Sequence, residues 1–402
     1  MPATRIRSVE PIVRRTGPII QSAKTRIALS IVALYRSLLR RTIFIGVTGS
    51  CGKTMTKELI AAVLAARFRG RKSHSSKNLP RQLARTILGV RPWDDYCVVE
   101  IAAAVRGTRI PLDGPLKLVQ PQIGVVTNIE SDHLSAFGAV EGIAAEKGKL
   151  IAALPPHGTA VLNIDNEHVR AMQTRCAARI ITCGLSPDAM LRAENISASW
   201  PERLSFTAIY EGRSYVVRTQ LCGAHWVPSV LAALAAGLAM GVPLALAIQA
   251  IQLVPPFHRR MSPVSHPDGV AFVLDNYKAP LWSIRSTLRF MQEASAGRKI
   301  LVVGTLSDYR GDHGRVYASV AREALKVADR VIFVGPRARK SLQARSQSRE
   351  DALQAFDDIE AARPYVHELL RPSDLVLLKD SDHERLDTII AQRTWDSDSA
   401  AR

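Results

Sequence analysis

Glycines beside lysine and threonine, set between an apolar strand and a helix, can cradle a phosphate. Residues 46 to 54 read Gly46-Val47-Thr48-Gly49-Ser50-Cys51-Gly52-Lys53-Thr54, after the apolar run Ile43 to Thr48 and before a helix-forming stretch from Lys53 to Phe68. Glycines let backbone N–H groups converge on phosphate oxygens, and a helix N-terminus adds partial positive charge. Lys53 then stands against the β- and γ-phosphates of a nucleotide, and the Thr54 hydroxyl is placed to hold Mg²⁺. The common spacing needs a glycine at 47, where Val47 stands; glycines at 46 and 49 make this loop a variant.

The elements around the loop must carry it. Short apolar runs at Tyr96 to Ile101, Ile123 to Asn128 and Thr159 to Asn163 predict buried parallel strands. Ala193 to Arg218 alternates and predicts antiparallel strands, and Val227 to Leu253 is Ala-rich and helical. Pro255 and Pro256 break that helix before the basic group His258, Arg259 and Arg260. Strands at Ala271 to Asp275, Lys299 to Val303, Arg330 to Val334 and Leu375 to Leu378 then predict a second, smaller doubly wound unit. The expected organisation is α/β throughout. Residues 1–40 form a basic helical extension, 41–256 a P-loop central domain with a mainly parallel sheet, and 257–402 a Rossmann-like C-terminal domain.

The chain has 402 residues and a formal charge of +18, from 54 Lys and Arg against 36 Asp and Glu. Such a balance favours acidic partners: nucleotides, phosphorylated or carboxylate substrates, or anionic surfaces. Basic residues such as Arg5, Arg7, Arg14, Arg15, Arg337, Arg339 and Arg345 are scattered, and no aromatic residues interleave with a basic run, which disfavours nucleic-acid binding. Cys51, Cys97, Cys176, Cys183 and Cys222 form no CxxC pair, which argues against a disulfide framework or thiolate zinc site and for a reducing cytoplasm. No secretion signal or bilayer-length apolar run is present. The stretch Lys24 to Arg41 carries Ile27, Ile31, Leu34, Leu38 and Leu39 at helical spacing. It predicts a helix packed on the next domain, or else a basic amphipathic helix in peripheral contact with a membrane.

The loop Gly49-x-x-Gly52-Lys53-Thr54, with Thr56 and Glu58 behind it, resembles that of the Mur ligase superfamily, and the resemblance continues in order over most of residues 42 to 390. Ser76-Lys77-Asn78 with Arg81 to Leu88 resembles an incomplete form of a threonine-and-asparagine segment. Val98-Val99-Glu100 is similar to the strand that ends in a metal-binding Glu, and Thr127-Asn128-Ile129 with Asp132-His133-Leu134 to the second metal segment. Glu146-Lys147-Gly148-Lys149-Leu150 resembles the segment whose lysine becomes a carbamate, which assigns that role to Lys147. Val161 to Asp165 resembles the strand end where Asn163 meets ATP, and Arg260 falls where the family places an arginine leading into its last domain. Asp275-Asn276-Tyr277-Lys278-Ala279-Pro280 resembles a nucleotide-contacting segment, with Asp275 and Tyr277 carrying over. It is one residue short, and Lys278 or Ala279 replaces Asn or His. Lys379-Asp380-Ser381 resembles a Lys-Gly-Ser segment with Asp for Gly, and Asp lacks glycine's backbone freedom.

The resemblance implies an ATP-dependent carboxylate–amine ligase, closest in pattern to the pentapeptide-forming branch, working through an acyl phosphate. It implies ATP contacts from Gly49, Ser50, Cys51, Gly52, Lys53, Thr54, Asn163, Arg260, Asp275 and Tyr277. Mg²⁺ would be held by Thr54, Glu100, His133 and the carbamate of Lys147, and Lys53, Lys147 and His133 would be catalytic. Only the short extension before Thr42 precedes the loop, so the usual UDP-binding domain is expected to be missing, and a partner subunit could supply acceptor recognition. Two other readings stay open: a P-loop ATPase or switch without ligation, and a basic protein that binds nucleic acid or a membrane surface.

Overall fold

The computed structural model describes residues 23–75, 78–105, 108–345 and 351–391. The remaining residues, including Ser76, Lys77, Arg5, Arg7, Arg14 and Arg15, lie outside the described part.

Among the described residues seventeen strands follow in chain order: β1 Ile43–Thr48, β2 Gly70–Lys72, β3 Tyr96–Glu100, β4 Ala104–Val105, β5 Thr108–Arg109, β6 Ile123–Val126, β7 Thr159–Asn163, β8 Arg179–Gly184, β9 Leu191–Ser197, β10 Ser205–Tyr210, β11 Arg213–Arg218, β12 Ser262–Ser265, β13 Ala271–Asp275, β14 Arg298–Val303, β15 Arg330–Val334, β16 Leu353–Phe356 and β17 Asp374–Lys379. A nine-stranded sheet runs β11-β10-β9-β8-β7-β6-β1-β3-β2, and a six-stranded sheet runs β12-β13-β17-β14-β15-β16. The first is parallel from β2 across to β9 and turns antiparallel at β10 and β11. In the second, only β12 is antiparallel.

Strands β1, β3, β6 and β7 are apolar because both their faces are covered, and nearly every residue in them is buried. One face takes helices α2 Lys53–Ala65, α5 Val227–Ala239 and α6 Leu244–Gln252, and the other takes α1 Ala23–Leu38, α3 Pro80–Gly89 and α4 Val140–Ala152. Helix α2 buries Met55, Leu59, Ile60, Val63 and Leu64 against the sheet and α5. Each such aliphatic side chain contributes roughly 1.5–3 kcal/mol when fully buried. The Ala-rich α5 lets α2 come close: a Cβ on Gly237 would sit 2.5 Å from Val63.

The expected α/β architecture with a mainly parallel sheet is present, with local differences. The Ala-rich stretch forms two helices, divided at Gly241, whose φ is 74°, and Pro243. The second ends at Gln252, before Pro255 is reached. Strands β2, β4, β5, β8, β12 and β16 add to those expected. Strand β12 tolerates Pro263 because it is an edge strand, and β16, Leu-Gln-Ala-Phe, has no β-branched residue to betray it.

Candidate active site

The C-terminal ends of β1, β3, β6 and β7 from one sheet and of β13 and β17 from the other face a common cleft of about 1020 Å³. Ligands bind at this end of parallel sheets because the strand-to-helix turns expose backbone donors there. Ser50, Cys51, Gly52, Lys53, Thr54, Glu100, His133, Lys147, Asn163, Arg260, Asp275 and Tyr277 all line it.

Glycine is required at two positions in the loop. Gly52, with φ 73°, is the N-cap of α2, and no side chain caps the helix, so its first N–H groups stay available to an anion. Gly49, with φ 146°, lies so close to Thr127 that a Cβ would meet the hydroxyl at 1.9 Å. The displaced glycine spacing has a simple cause: Val47 is still inside β1 and fully buried. The loop is braced from β6, since Asn128 Oδ1 accepts from the Cys51 N–H at 3.0 Å and Thr127 Oγ1 donates to Cys51 O at 2.6 Å. Burial pushes the Cys51 thiol up to about 11, which leaves it a packing group and not a nucleophile.

Two lysines converge on one carbonyl. Lys53 Nζ donates to Gly49 O at 2.8 Å, and Lys147 Nζ, brought from α4, donates to the same oxygen at 2.7 Å. Burial lowers both pKa values; Lys147 falls to about 7, with the charge of Lys53 the next cause. A neutral Lys147 amine is the form that adds CO₂.

Across from them the Thr54 hydroxyl donates to Glu100 Oε2 at 2.9 Å, and Asn78 Nδ2 donates to Oε1 at 3.0 Å. Thr54 and Glu100 are buried at the end of β3 and the start of α2. A hydroxyl and a carboxylate are hard oxygen donors that suit Mg²⁺, and the His133 imidazole beside them is a borderline donor. Asp132, 2 % exposed, has one carboxylate oxygen without a partner. Burial opposes its ionisation, but Lys53, Lys278, His133 and Lys147 together hold it below the usual carboxylate range. His133 is pushed down by burial, against the pull of Asp132, and so favours the neutral, ligating form.

The second sheet reaches into this cluster at two points. The His133 N–H donates to Asp308 Oδ1 at 3.0 Å, which supports the left-handed backbone of His133 at φ 58°. Lys278 Nζ lies 3.7 Å from Asp132 Oδ1. Deeper in the cleft, Asp275 pairs with Lys379 at 2.6 Å, and the Arg260 guanidinium stacks 4.3 Å from the centre of the Tyr277 ring. Asn163 Nδ2 donates to Thr127 O at 3.0 Å, behind the loop. His225 is pushed down to about 4 by burial, and Trp226 Nε1, Trp282 Nε1 and Arg260 Nε are buried donors with no acceptor among the described residues.

The residues at 379–381 behave differently from the expectation set by their sequence. Asp380 has no positive φ; the left-handed residue is Asp382, at 63°. Instead Asp380 is buried and accepts from the Thr305, His383 and Glu384 N–H groups at 3.0, 2.9 and 2.9 Å. It therefore needs none of the freedom a glycine would bring.

Asp132, Asn78 and Lys278 stood inside quoted motifs without being assigned a role, so their signal was available. Asp308, His225, Trp226 and Trp282 had no local signal; only folding brings them to the cleft.

Two family models match the chain: the Mur ligase middle domain over residues 47–237, and the Mur ligase glutamate ligase domain over residues 259–381. The chain is 30% identical over 379 residues to a UDP-N-acetylmuramoyl-tripeptide–D-alanyl-D-alanine ligase of Mycobacterium tuberculosis, covering 88% of this chain and 74% of the relative. A ligase of the same name from Synechocystis is 28% identical over 357 residues, covering 87% and 74%. Among solved structures, MurF from Acinetobacter baumannii superposes with a TM-score of 0.82 at 23% identity, over 92% of this chain and 80% of that one. MurF from Thermotoga maritima in complex with ADP gives 0.77 at 21%, over 90% and 82%.

Proposed function

Because the chain belongs to the Mur ligase family, whose members form amide bonds at the expense of ATP, we propose that its cleft joins the carboxylate of an anionic, peptide-like acceptor to the amine of a small amino acid or dipeptide. The observation that carries this reading is the convergence of Lys53 and Lys147 on Gly49 O beside the Thr54–Glu100 pair. A nucleotide switch needs the loop but not a second buried lysine aimed at it. The division into a basic extension (1–40), a central domain (41–256) and a C-terminal domain (257–402) is part of the same proposal.

In the first step a carboxylate oxygen attacks the γ-phosphorus of ATP; the new O–P bond forms as the bond to the β-bridging oxygen breaks and ADP leaves. Amine nitrogen then attacks the acyl carbon, the C–O bond to phosphate breaks, and the nitrogen loses a proton as the amide forms. Lys53 neutralises the β- and γ-phosphates, and the free N–H groups at the start of α2 bind their oxygens. Thr54, Glu100 and His133 would hold Mg²⁺, which when bound supplies charge neutralisation between two polyanions. Lys147, as a neutral amine, takes up CO₂ by forming an N–C bond and releasing a proton; the carbamate turns a repelling cation into an anionic ligand. Arg260 and Tyr277, stacked on each other, and Asp275 would meet the nucleotide from the second sheet, and Asn163 from behind the loop. Closure of the two sheets around the cleft excludes water from the acyl phosphate.

The relatives are named for D-alanyl-D-alanine and a UDP-linked tripeptide, so these lead the panel of substrates. A partner subunit presenting the acceptor, and peripheral membrane contact through the N-terminal basic helix, both fit this reading. The test is phosphate release from Mg-ATP by the purified chain against D-alanyl-D-alanine, a UDP-linked tripeptide, amino acids and peptide carboxylates, with mass spectrometry of the products. A new amide formed in step with ADP supports the ligase; ADP formed with no amide from any pair overturns it in favour of a nucleotide switch.

A further inference from the structure

Helix α1 has two apolar faces, and the sheet uses only one. Val32 and Leu39 are buried, the Tyr35 hydroxyl donates to Val90 O, and Arg36 donates to Val119 O at 2.8 Å and Gln120 O at 2.9 Å while lying over the Phe44 ring. That face clamps the helix. On the other, Ile27, Ile31, Leu34 and Leu38 are 61, 58, 65 and 66 % exposed. Their spacing of four, three and four residues sets them in one stripe about 17 Å long.

The stripe is not scattered surface. Eleven large hydrophobic residues are exposed among the described residues, and six of them are these four plus Leu88 in α3 and Trp93 in the turn beyond it. Helix α1 packs on α3, and its Tyr35 is tied to Val90 in the same turn. Exposed apolar side chains gathered on adjoining elements in this way mark a contact site.

Charge decides what the contact is. No Asp or Glu occurs between Glu10 and Glu58, whereas Lys24 and Arg26 lie in the first turn of α1 and Arg40 and Arg41 follow its end, Arg41 pairing with Asp95 at 2.8 Å. Arg91 lies 5.7 Å from the Trp93 ring centre. A second copy is a poor occupant: four residues make too short a seam for a coiled coil, and two copies of α1 would oppose cations with no acidic partner in either direction. An anionic lipid surface matches both the apolar stripe and the cationic ends, and a tryptophan beside arginine suits the headgroup region.

We propose that α1, together with Leu88 and Trp93, seats this enzyme on an anionic membrane surface. The inference rests on the peripheral contact named above but not on the chemistry in the cleft, so lipid binding and ATP turnover are read separately. The experiment is co-sedimentation of the full chain with vesicles of phosphatidylcholine alone or mixed with phosphatidylglycerol. Binding to the mixed vesicles that weakens with salt is expected. Ile31→Ala with Leu34→Ala, which keeps helix propensity, should bind about tenfold more weakly while turning over ATP as the parent does. Ile27→Gln with Leu38→Gln is the second variant, should the first fold poorly. A parent chain that stays in the supernatant, equal binding to neutral vesicles, or variants that bind like the parent would overturn the proposal. So would a dimer, seen by sedimentation velocity, that the Ala variant dissociates.

Discussion

The two sides of the cleft are built to different standards. On the phosphate-loop side, Gly49, Cys51, Lys53, Thr54, Glu100, Thr127, Asn128 and Lys147 form one braced network with most contacts between 2.6 and 3.3 Å. On the side of β13 and β17 the network around Asp380 lies behind the cleft, and the groups that face it make separate contacts: Asp275 with Lys379, Arg260 over Tyr277, and two outreaching groups, Lys278 and Asp308. The first side meets a phosphate, a ligand common to all such enzymes, and rigid donors serve it best. The second side brings Arg260, Asp275 and Tyr277 to the cleft, and there Lys278 and Asp380 depart from the pattern of the resemblance.

This contrast can be broken by mutation. Lys53→Ala should lower ATP turnover by about 10²–10³-fold, the range for losing one preorganised donor to a transferring phosphoryl group; unchanged turnover in a phosphate-release assay would remove the loop from the chemistry. Lys147→Ala should cost about as much, with partial recovery on adding acetate or formate, since a small carboxylate can stand where the carbamate would. Recovery in the same assay is specific, because a merely structural loss would not respond.

Lys278→Met should lower kcat by about tenfold or less, because the side chain is half-exposed and its charge is partly screened. Lys278→Arg should retain most of that. A tenfold rise in KM for ATP without a change in kcat would assign Lys278 to ground-state binding instead.

Stability separates the sides further. A Cβ on Gly304 would meet Asp380 Oδ1 at 2.4 Å. Gly304→Ala should therefore destabilise by roughly 1–3 kcal/mol, read from denaturant midpoints. The last effect is in pH. Lys147 is lowered from its ordinary value to about 7 in the fold, so between that value and the ordinary lysine range the unfolded chain holds a proton the folded chain lacks. Stability in bicarbonate-free buffer should rise with pH across that window and lose this component in Lys147→Met.

The loop was legible because its parts are contiguous: strand, glycines, Lys53 and Thr54 sit within a dozen residues, and local geometry sets their roles. The paired strand ends at Glu100, Asn163 and Asp275 were legible as well, since apolar runs end where the polar residue begins. The exposed stripe of α1 was readable as a helical repeat but not as exposed, because a core face and a solvent face have the same period. Leu353–Phe356 was missed because four residues without β-branching carry little strand signal.

By itself, then, the sequence determined the α/β alternation and the chemistry of the phosphate loop, both of which follow from residues close together along the chain. Only the tertiary structure decided that Lys147 shares Gly49 O with Lys53 across 98 residues, and that Asp308 holds the His133 backbone across 175. It also decided that Asp380 is a buried acceptor in place of a flexible turn. These depend on burial and on the approach of distant strand ends, and a pairwise distance between remote residues is fixed by packing, which no local pattern records.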